Sequence, residues 1–405
     1  MKKRFLVIII CIALISVAVA GVYYYRQPEV VDDSPPPPLV KLDVSAYPLF
    51  SDTLLYDNLA DAVVKTIEYL EKRPQDRTYE YGEDTYTAAH LLASCRAFLD
   101  FIRSRPTEPM LNDHIRRYYH VYQCTGSEGS GNMLVTGYYE PKLYGSLQPT
   151  EKFKYPLYTR PTDMITADLA AFYPELKGKR ITGRLRGNTI IPYFDRKAIE
   201  NKENYHETAP PLVWVDSRID LFFLQIQGSG LVALASGEEI HVHYHTANGH
   251  PYRSIGRLLI DKGKIPKAEM SMQRIRQYLE ENPDEIDAIL NYNPSYVFFK
   301  QEADGPIGYM GKKLTPIRSI ALDRRIFPLA ALAYIDTKIP EIRDEQAIDT
   351  WLDLKAFVVN QDTGGAIRGT GRVDLFWGNG KAAEMAAGHM QHDAMLYFLV
   401  LKPAA

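Results

Sequence analysis

The sequence predicts a mainly β protein with helices, of the α+β class, in which helical and strand-rich stretches alternate. From residue 132 to residue 245, short runs rich in β-branched and aromatic residues follow one another, separated by turns rich in Gly, Pro and Asn. Short strands at this spacing are typical of a barrel or a sandwich. Apolar residues at helical spacing precede this block and return after residue 248, and strand patterns resume from residue 295 to the end.

Helices are predicted where apolar residues recur every three or four positions. The first covers about residues 55–70, with Ser51 or Asp52 as its N-cap and Pro74 beyond its end. The other predicted helices cover about residues 85–104, 110–123, 267–281 and 283–290. They are expected to pack against the strand-rich parts of the chain.

Strands are predicted for the short apolar runs between the turns. Before residue 250 they are residues 133–141, 154–160, 188–194, 211–217, 220–230 and 239–245. After it they are residues 295–300, 315–323, 331–337, 356–360, 372–376 and 396–401.

The N-terminus has the pattern of an export signal. Three basic residues at positions 2–4 precede an uncharged apolar run from Phe5 to Val22, and positive charge stays on the cytoplasmic side of a membrane. We expect residues 1–26 to remain as a membrane anchor, the alternative being secretion after cleavage at Ala20. Cys11 lies among bulky isoleucines, a poor setting for lipid attachment. Residues 27–44 form a linker stiffened by four consecutive prolines.

Composition and motif spacing exclude several classes of function. A net charge of −3 gives no argument for nucleic acid as a partner. Cys95 and Cys124 either form a disulfide or are two separate buried thiols, and the sequence leaves both open. His241, His243 and His245 share one strand face, but no acid or cysteine joins them at ligand spacing, so no metal site is predicted. No phosphate loop or dinucleotide fingerprint is present in its required context, so no cofactor is predicted.

The glycine-rich stretch at residues 351–376 is the strongest candidate for chemistry. Asp362 ends one predicted strand and Asp374 lies within the next. Four glycines, Gly364, Gly365, Gly369 and Gly371, lie between them and allow a loop with positive φ angles. A carboxylate on a strand beside aromatic residues is costly to bury. Asp374 therefore either pairs with Arg372 or Arg368, or takes part in a reaction; no G-x-S-x-G nucleophile motif competes with it.

One alternative comes from the tripeptide Asp362-Thr363-Gly364. Aspartic proteases place such a tripeptide after an apolar strand, and two of their aspartates share one proton. The chain has one copy only, so a protease would have to be a dimer. That alternative leaves Asp374 without a role.

Six sequence blocks resemble the membrane-bound lytic murein transglycosylase A family, in the same order and with similar spacing, over roughly residues 130–400. The blocks are GYYEP (137–141), FLQIQGSG (223–230), NGHPYRSIGRLLIDKG (248–263), NPSYVFFK (293–300), ALDRRIFP (321–328) and QDTGGAIRGTGRVDLFWG (361–378). The resemblance implies a double-psi β-barrel domain formed by residues 45–136 and 245–405 together with helical segments. A second β-barrel-like domain is implied at residues 137–244, with a groove between the two for a glycan strand.

The resemblance also implies an activity and a set of site residues. The reaction is cleavage of the β-1,4 bond between N-acetylmuramic acid and N-acetylglucosamine in peptidoglycan, leaving 1,6-anhydro ends. The family's single catalytic acid matches Asp374, and two further aspartates of its barrel match Asp362, expected to act as a nearby like charge, and Asp323, expected to be structural. The spacing from Asp362 to Asp374 departs from the family pattern by one residue. The candidates for holding the sugars are Gln227, Ser229, Gly230, Tyr138, Tyr139, Gly364, Gly365 and Phe376.

The expected partners are peptidoglycan glycan strands and, through the N-terminal segment, the membrane. Association with other cell-wall enzymes is left open. The alternative to an enzyme is a non-catalytic peptidoglycan-binding protein on the same scaffold, in which Asp374 is merely ion-paired.

Overall fold

The computed structural model describes residues 37–343 and 347–403. The predicted anchor at residues 1–26 and the first part of the predicted linker lie outside the described residues. Within the described ranges, no helix combines the length and the apolar character that crossing a membrane requires.

The secondary structure follows the predicted alternation of helices and strands. The helices are α1 (Leu59–Glu71), α2 (Ala88–Ile102), α3 (Glu108–Tyr118), α4 (Arg196–Asn201), α5 (Arg218–Gln227), α6 (Ile255–Asp261), α7 (Met272–Glu281), α8 (Ile286–Leu290) and α9 (Gly380–His389). The strands up to residue 250 are β1 (Leu39–Lys41), β2 (Thr78–Tyr81), β3 (Asp84–Thr87), β4 (Tyr119–Cys124), β5 (Met133–Glu140), β6 (Lys142–Ser146), β7 (Tyr155–Tyr158), β8 (Ile165–Asp168), β9 (Arg180–Arg186), β10 (Thr189–Pro192), β11 (Pro211–Val215), β12 (Ser229–Leu234) and β13 (Glu239–Ala247). The later strands are β14 (Val297–Glu302), β15 (Ser319–Ala321), β16 (Leu332–Arg343), β17 (Ala347–Asp362), β18 (Arg372–Asn379) and β19 (Gln391–Leu401).

Six strands close into a barrel in the order β19, β16, β17, β15, β18 and β5, because β19 pairs with β16 at one edge and with β5 at the other. The β15–β17 and β18–β5 pairs are parallel and the remaining pairs are antiparallel. Alternate residues of β18, such as Val373 and Leu375, are buried in the barrel core, which α1, α2 and α3 extend. The predicted α+β class with a β-barrel is confirmed.

A second sheet has the strand order β14, β13, β12, β6, β11 and β7. Its own core contains Leu157, Val213, Val232 and Phe299, and α5 to α8 form a neighbouring apolar cluster. The sheet runs from Lys142 in β6 to Glu302 in β14, whereas β5 belongs to the barrel. The domain limits at residues 137 and 244 stay a prediction.

The predicted strand at residues 220–230 is wrong, because residues 218–227 form helix α5. Ser217 caps this helix by accepting a hydrogen bond from the N–H of Asp220 at 3.1 Å, and Gly228 ends it with a φ of 83°. A helix that is buried on most sides is apolar around most of its circumference. It therefore lacks the 3.6-residue hydrophobic period by which a surface helix is distinguished from a buried strand. Ser217, three residues before Asp220, is a favourable N-cap and was the sequence signal for the start of this helix.

The N-terminal helices are shorter than predicted. The start of the second predicted helix is instead strand β3, which pairs with β2. The end of the third predicted helix is instead strand β4, which pairs with β1 and β19. Asp52 does not cap α1. Its fully buried carboxylate instead accepts hydrogen bonds from both terminal nitrogens of Arg318, at 2.7 and 2.9 Å. Cys95 and Cys124 are both buried and unpaired within the part of the chain that the structure describes.

Candidate active site

Asp362 and Asp374 lie on the two strands that flank β15. Ala321 of β15 is in register with Asp362 on one side and with Asp374 on the other, and Thr136 of β5 is in register with Asp374. The register of the β15–β17 pair shifts by one residue between Ile320 and Ala321, and this shift places Asp362 beside Ala321. Val373 and Leu375 point into the barrel core, so Asp374 points to the outer face. Ala321 contributes only a methyl group between the two carboxylates.

Asp374 is held through one of its oxygens. Thr136 Oγ1 donates a short hydrogen bond to Oδ1, and Arg372 Nε lies 3.2 Å from the same atom. Arg372 also donates to Thr136 Oγ1 at 3.2 Å. The ion pair with Arg372 that the sequence left open is therefore present. Oδ2 receives no hydrogen bond from the residues that the structure describes, and the side chain is 14% exposed.

Asp362 is held through both oxygens. The backbone N–H of Tyr309 donates to Oδ1 at 2.8 Å, and the hydroxyl of Tyr138 donates to Oδ2 at 3.0 Å. Burial raises the pKa of Asp362 to about 6, and the charge of Asp374 adds to this rise. The hydrogen bonds from Thr363, Tyr309 and Tyr138 act to lower the pKa but are outweighed. Burial also raises the pKa of Tyr138 well above its ordinary value, so this hydroxyl keeps its proton and remains a donor.

Asp323 ties the glycine loop to the barrel. Its buried carboxylate accepts hydrogen bonds from Arg325 Nε at 2.8 Å, from Arg325 Nη2 at 2.5 Å and from the N–H of Gly369 at 3.0 Å. Burial acts to raise the pKa of Asp323, but these hydrogen bonds outweigh it and lower the pKa to about 2. Gly369 has a φ of 81°, which a residue with a Cβ rarely adopts. The loop between Asp362 and Asp374 is thus anchored near its middle.

A cavity of about 340 Å³ lies between the glycine loop and the second sheet. Asp362, Gly364 and Gly365 line it on the barrel side, and Gln227 and Ser229 line it on the side of α5 and β12. These predicted site residues, from segments far apart in the sequence, are brought together around one space. A cavity of this size, with few convergent polar groups, is typical of a small-ligand or sugar site.

The other predicted sugar-binding residues do not line this cavity. Tyr138 packs against Phe376 with ring centres 5.2 Å apart, and Phe376 is buried. Tyr139 is buried beside α9, and its N–H donates to Gln227 Oε1 at 3.1 Å. A Cβ at Gly230 would lie 2.4 Å from Leu224, so this glycine permits close packing of β12 on α5. Their roles in binding stay predictions.

The sequence reasoning missed several residues around the site. Thr136 and Tyr309 contact the two carboxylates, and nothing local in the sequence indicates those contacts. Gln225 and His243 line the cavity. Gln225 stands two positions before Gln227 in the FLQIQGSG block, and a glutamine within a buried apolar helix was a usable signal once α5 was recognised as a helix.

Two family models match the chain: the MltA specific insert domain over residues 134–300 and the 3D domain over residues 318–400. Membrane-bound lytic murein transglycosylase A of Escherichia coli K12 is 31% identical over 288 residues, which cover 70% of each chain. The same-named protein of Vibrio cholerae is 29% identical over 283 residues, covering 69% of this chain and 68% of that one. The crystal structure of a membrane-bound lytic murein transglycosylase from Agrobacterium tumefaciens matches with a TM-score of 0.72 and 26% identity, over 90% of this chain and 97% of that one.

Proposed function

Because the chain belongs to the membrane-bound lytic murein transglycosylase A family and is a peptidoglycan lytic transglycosylase, we propose that it cleaves the β-1,4 bond between N-acetylmuramic acid and N-acetylglucosamine and leaves 1,6-anhydro ends. One aspartate acts first as acid and then as base. The observation that carries this proposal is the row in which Asp362 and Asp374 flank Ala321 on one face of the barrel.

The reaction needs one carboxyl group to act twice. The protonated acid gives its proton to the glycosidic oxygen, and the bond from that oxygen to C1 of N-acetylmuramic acid breaks. The resulting carboxylate then removes the proton of the C6 hydroxyl as O6 bonds to C1. No water is consumed, so the second carboxylate that most glycosidases use to activate water or to attack the sugar is not required.

We assign the acid to Asp374 because a proton donor must have an oxygen facing the substrate. Thr136 and Arg372 both engage Oδ1 of Asp374 and leave Oδ2 for the glycosidic oxygen. The nearby guanidinium of Arg372 would stabilise the carboxylate formed when the proton leaves.

Asp362 is assigned a supporting role. Both of its oxygens accept hydrogen bonds from Tyr138 and Tyr309, so delivering a proton outward would break one of these contacts. Its position across Ala321 from Asp374 makes the charge states of the two groups interdependent. It also fixes the segment that carries Tyr309 over the start of the glycine loop.

The test of function is digestion of purified peptidoglycan by the full chain in a mild detergent, followed by mass spectrometry of the products. Muropeptides with 1,6-anhydro ends support the proposal. Hydrated reducing ends would contradict the intramolecular step. Absence of products would favour the non-catalytic binding protein, and cut peptides would favour the dimeric aspartic protease.

We also propose that the protein acts in the periplasm, held to the membrane by residues 1–26, with residues 137–244 as the inserted domain. The names of the relatives, membrane-bound murein enzymes, support the location. Mass spectrometry of the native protein tests the anchor: a chain that begins at Met1 supports it, and one that begins at Gly21 means secretion after cleavage at Ala20.

A further inference from the structure

The small antiparallel sheet of β8, β9 and β10 has one apolar face and one polar face. β9 is its central strand and pairs with both of the others. Residues opposite each other in a pair, and residues two positions apart in a strand, share a face of the sheet. The register therefore places on one face, here called the outer face, Ile165, Ala167, Ile181, Leu185, Ile190 and Pro192.

The opposite, mostly polar face packs against the rest of the protein. A Cβ at Gly249 would lie 2.8 Å from the Cβ of Thr182, so the segment after β13 lies directly on this face. The guanidinium of Arg184 lies over the ring of Phe194, 4.1 Å from its centre. The outer face therefore points away from the body of the protein.

The apolar side chains of the outer face are exposed. Ile181, Leu185 and Ile190 are 44%, 56% and 45% exposed, and the connection between β8 and β9 adds Phe172 and Tyr173, at 68% and 58%. A surface sheet normally turns its apolar face to the core and its polar face to water. This sheet does the reverse, and a continuous exposed apolar patch is typical of an interaction surface.

Unpaired cations lie on the same sheet and its connection. Lys177, Lys179 and Arg186 are exposed, and none of the three forms an ion pair within the part of the chain that the structure describes. Arg180, by contrast, is paired with Asp168 at 3.4 Å. The chain as a whole has a net charge of −3, so positive charge is concentrated at this end of the protein.

We propose that the outer face docks on a lipid surface with anionic headgroups. The exposed aliphatic and aromatic side chains enter the boundary between headgroups and acyl chains, and the three unpaired cations meet the headgroup phosphates. Lysine is depleted at interfaces between proteins, so the lysines favour lipid over a protein partner. This inference goes beyond the glycan chemistry.

The proposed anchor makes such docking effective even if it is weak. Residues 27–38 separate the anchor at residues 1–26 from strand β1, and an extended, proline-rich segment of this length spans about 37 Å. A tether of this length gives the outer face a high effective concentration at the bilayer. The tether limits distance, whereas docking of the outer face fixes the orientation of the fold.

The test is hydrogen exchange, followed by mass spectrometry, of the full chain at one copy per lipid nanodisc. Discs of phosphatidylglycerol and phosphatidylcholine are compared with discs of phosphatidylcholine alone and with detergent. Peptides covering residues 169–190 should exchange about tenfold or more slowly in the anionic discs, because three cations at about fivefold each favour the anionic surface about a hundredfold. Salt at about 0.5 M should remove most of this slowing.

Two double variants separate the apolar and the charged contributions. Ile181→Ser with Leu185→Ser should abolish the slowing, and Lys177→Gln with Lys179→Gln should weaken docking about 25-fold. All four side chains are exposed, so exchange elsewhere in the chain should be unaltered. The matched control is Leu55→Ser with Leu147→Ser, because both leucines are exposed, at 68% and 53%, and lie outside this sheet; it should behave as the unaltered chain does.

Four results would overturn the inference. Unaltered exchange at residues 169–190 in anionic discs would leave the outer face to a protein partner. Equal slowing in anionic and neutral discs would remove the role of the cations. Slowing that appears in detergent and grows with protein concentration would mean that a second copy covers the face. Slowing retained by the Ile181→Ser and Leu185→Ser variant would place the contact elsewhere. Failure of the proposed function is seen separately, as absence of anhydro products from peptidoglycan.

Discussion

Replacing Asp362 by asparagine should stabilise the protein at neutral pH. Burial raises the pKa of Asp362 to about 6 from an ordinary value of 3.8, so the fold prefers the neutral carboxyl group. Asparagine is neutral at every pH and has nearly the same shape. Its carbonyl oxygen can still accept from the Tyr309 N–H, and its amide can donate to the Tyr138 hydroxyl, which exchanges its role of donor for that of acceptor.

The size of the effect follows from linkage between protonation and folding. Each tenfold change in proton affinity corresponds to about 1.4 kcal/mol, so a pKa of about 6 in place of 3.8 amounts to about 3 kcal/mol. The folded state binds more protons than the unfolded state between pH 4 and pH 6. Stability is therefore fully present below pH 4, falls as the pH rises through that window, and is lowest above pH 6. Asp362→Asn should remove the fall, so its advantage is absent at pH 4 and reaches at most about 3 kcal/mol at pH 7.5.

Urea unfolding of the full chain in a mild detergent, followed by tryptophan fluorescence at pH 4 and pH 7.5, measures this difference. The matched control is Asp353→Asn, because Asp353 is exposed and its pKa is lowered by the hydrogen bond from Lys338; this variant should gain nothing at pH 7.5. A midpoint for Asp362→Asn that is unchanged at pH 7.5, or raised equally at both pH values, would refute the assignment of a raised pKa to Asp362.

Three other substitutions test the remaining parts of the site and its support. Asp374→Asn should reduce release of anhydro products by at least about 10²-fold, the usual contribution of a positioned acid, while circular dichroism and glycan binding are unchanged; near-normal product release would mean that the acid is another group. Asp323→Asn should lose at most about 2 kcal/mol, because Arg325 is exposed to solvent, and should speed hydrogen exchange at the Gly369 N–H; unaltered exchange would contradict the anchoring role. Asp52→Asn should cost about 3–5 kcal/mol in urea unfolding, because it leaves the buried charge of Arg318 without its partner; a smaller loss would mean that solvent reaches the pair.

Local pattern predicted the barrel strands better than the helix beside the cavity. In β18, residues such as Val373 and Leu375 pack inward while Arg372 and Asp374 face outward, and that alternation is visible in the sequence. In α5, most residues are buried on one side or another, so the apolar run has no polar face to reveal its period. The error at α5 also concealed Gln225, because an alternating strand gives a lone polar residue an outward position.

Asp362 and Asp374, the two carboxylates of the candidate site, were identifiable from the sequence because they lie on either side of a glycine-rich stretch between two predicted strands. Their surroundings were not. Thr136 reaches Asp374 across 238 positions of sequence, and Ala321 lies between the two aspartates only because β15 pairs with β17 on one edge and with β18 on the other. Strand register of this kind is set by packing of whole faces and by turn geometry, which a single sequence does not specify over such separations.

The cavity has one wall formed by the barrel and another formed by α5 and the second sheet, and the two walls carry different polar groups. On the barrel side, Asp362 lines the cavity and accepts a hydrogen bond from the Tyr309 N–H; Asp323, which does not line the cavity, accepts one from the Gly369 N–H of the glycine loop. The second sheet and α5 contribute Ser229, His243 and the buried amide of Gln225, which has no hydrogen-bond partner among the described residues. Charge that takes part in proton transfer must be held in place by the protein, whereas groups that select a substrate must remain free to pair with it. Asp362 is held through both oxygens, whereas Asp374 keeps Oδ2 unpaired among the described residues, so of the two only Asp374 has an oxygen that can meet a ligand without breaking a hydrogen bond.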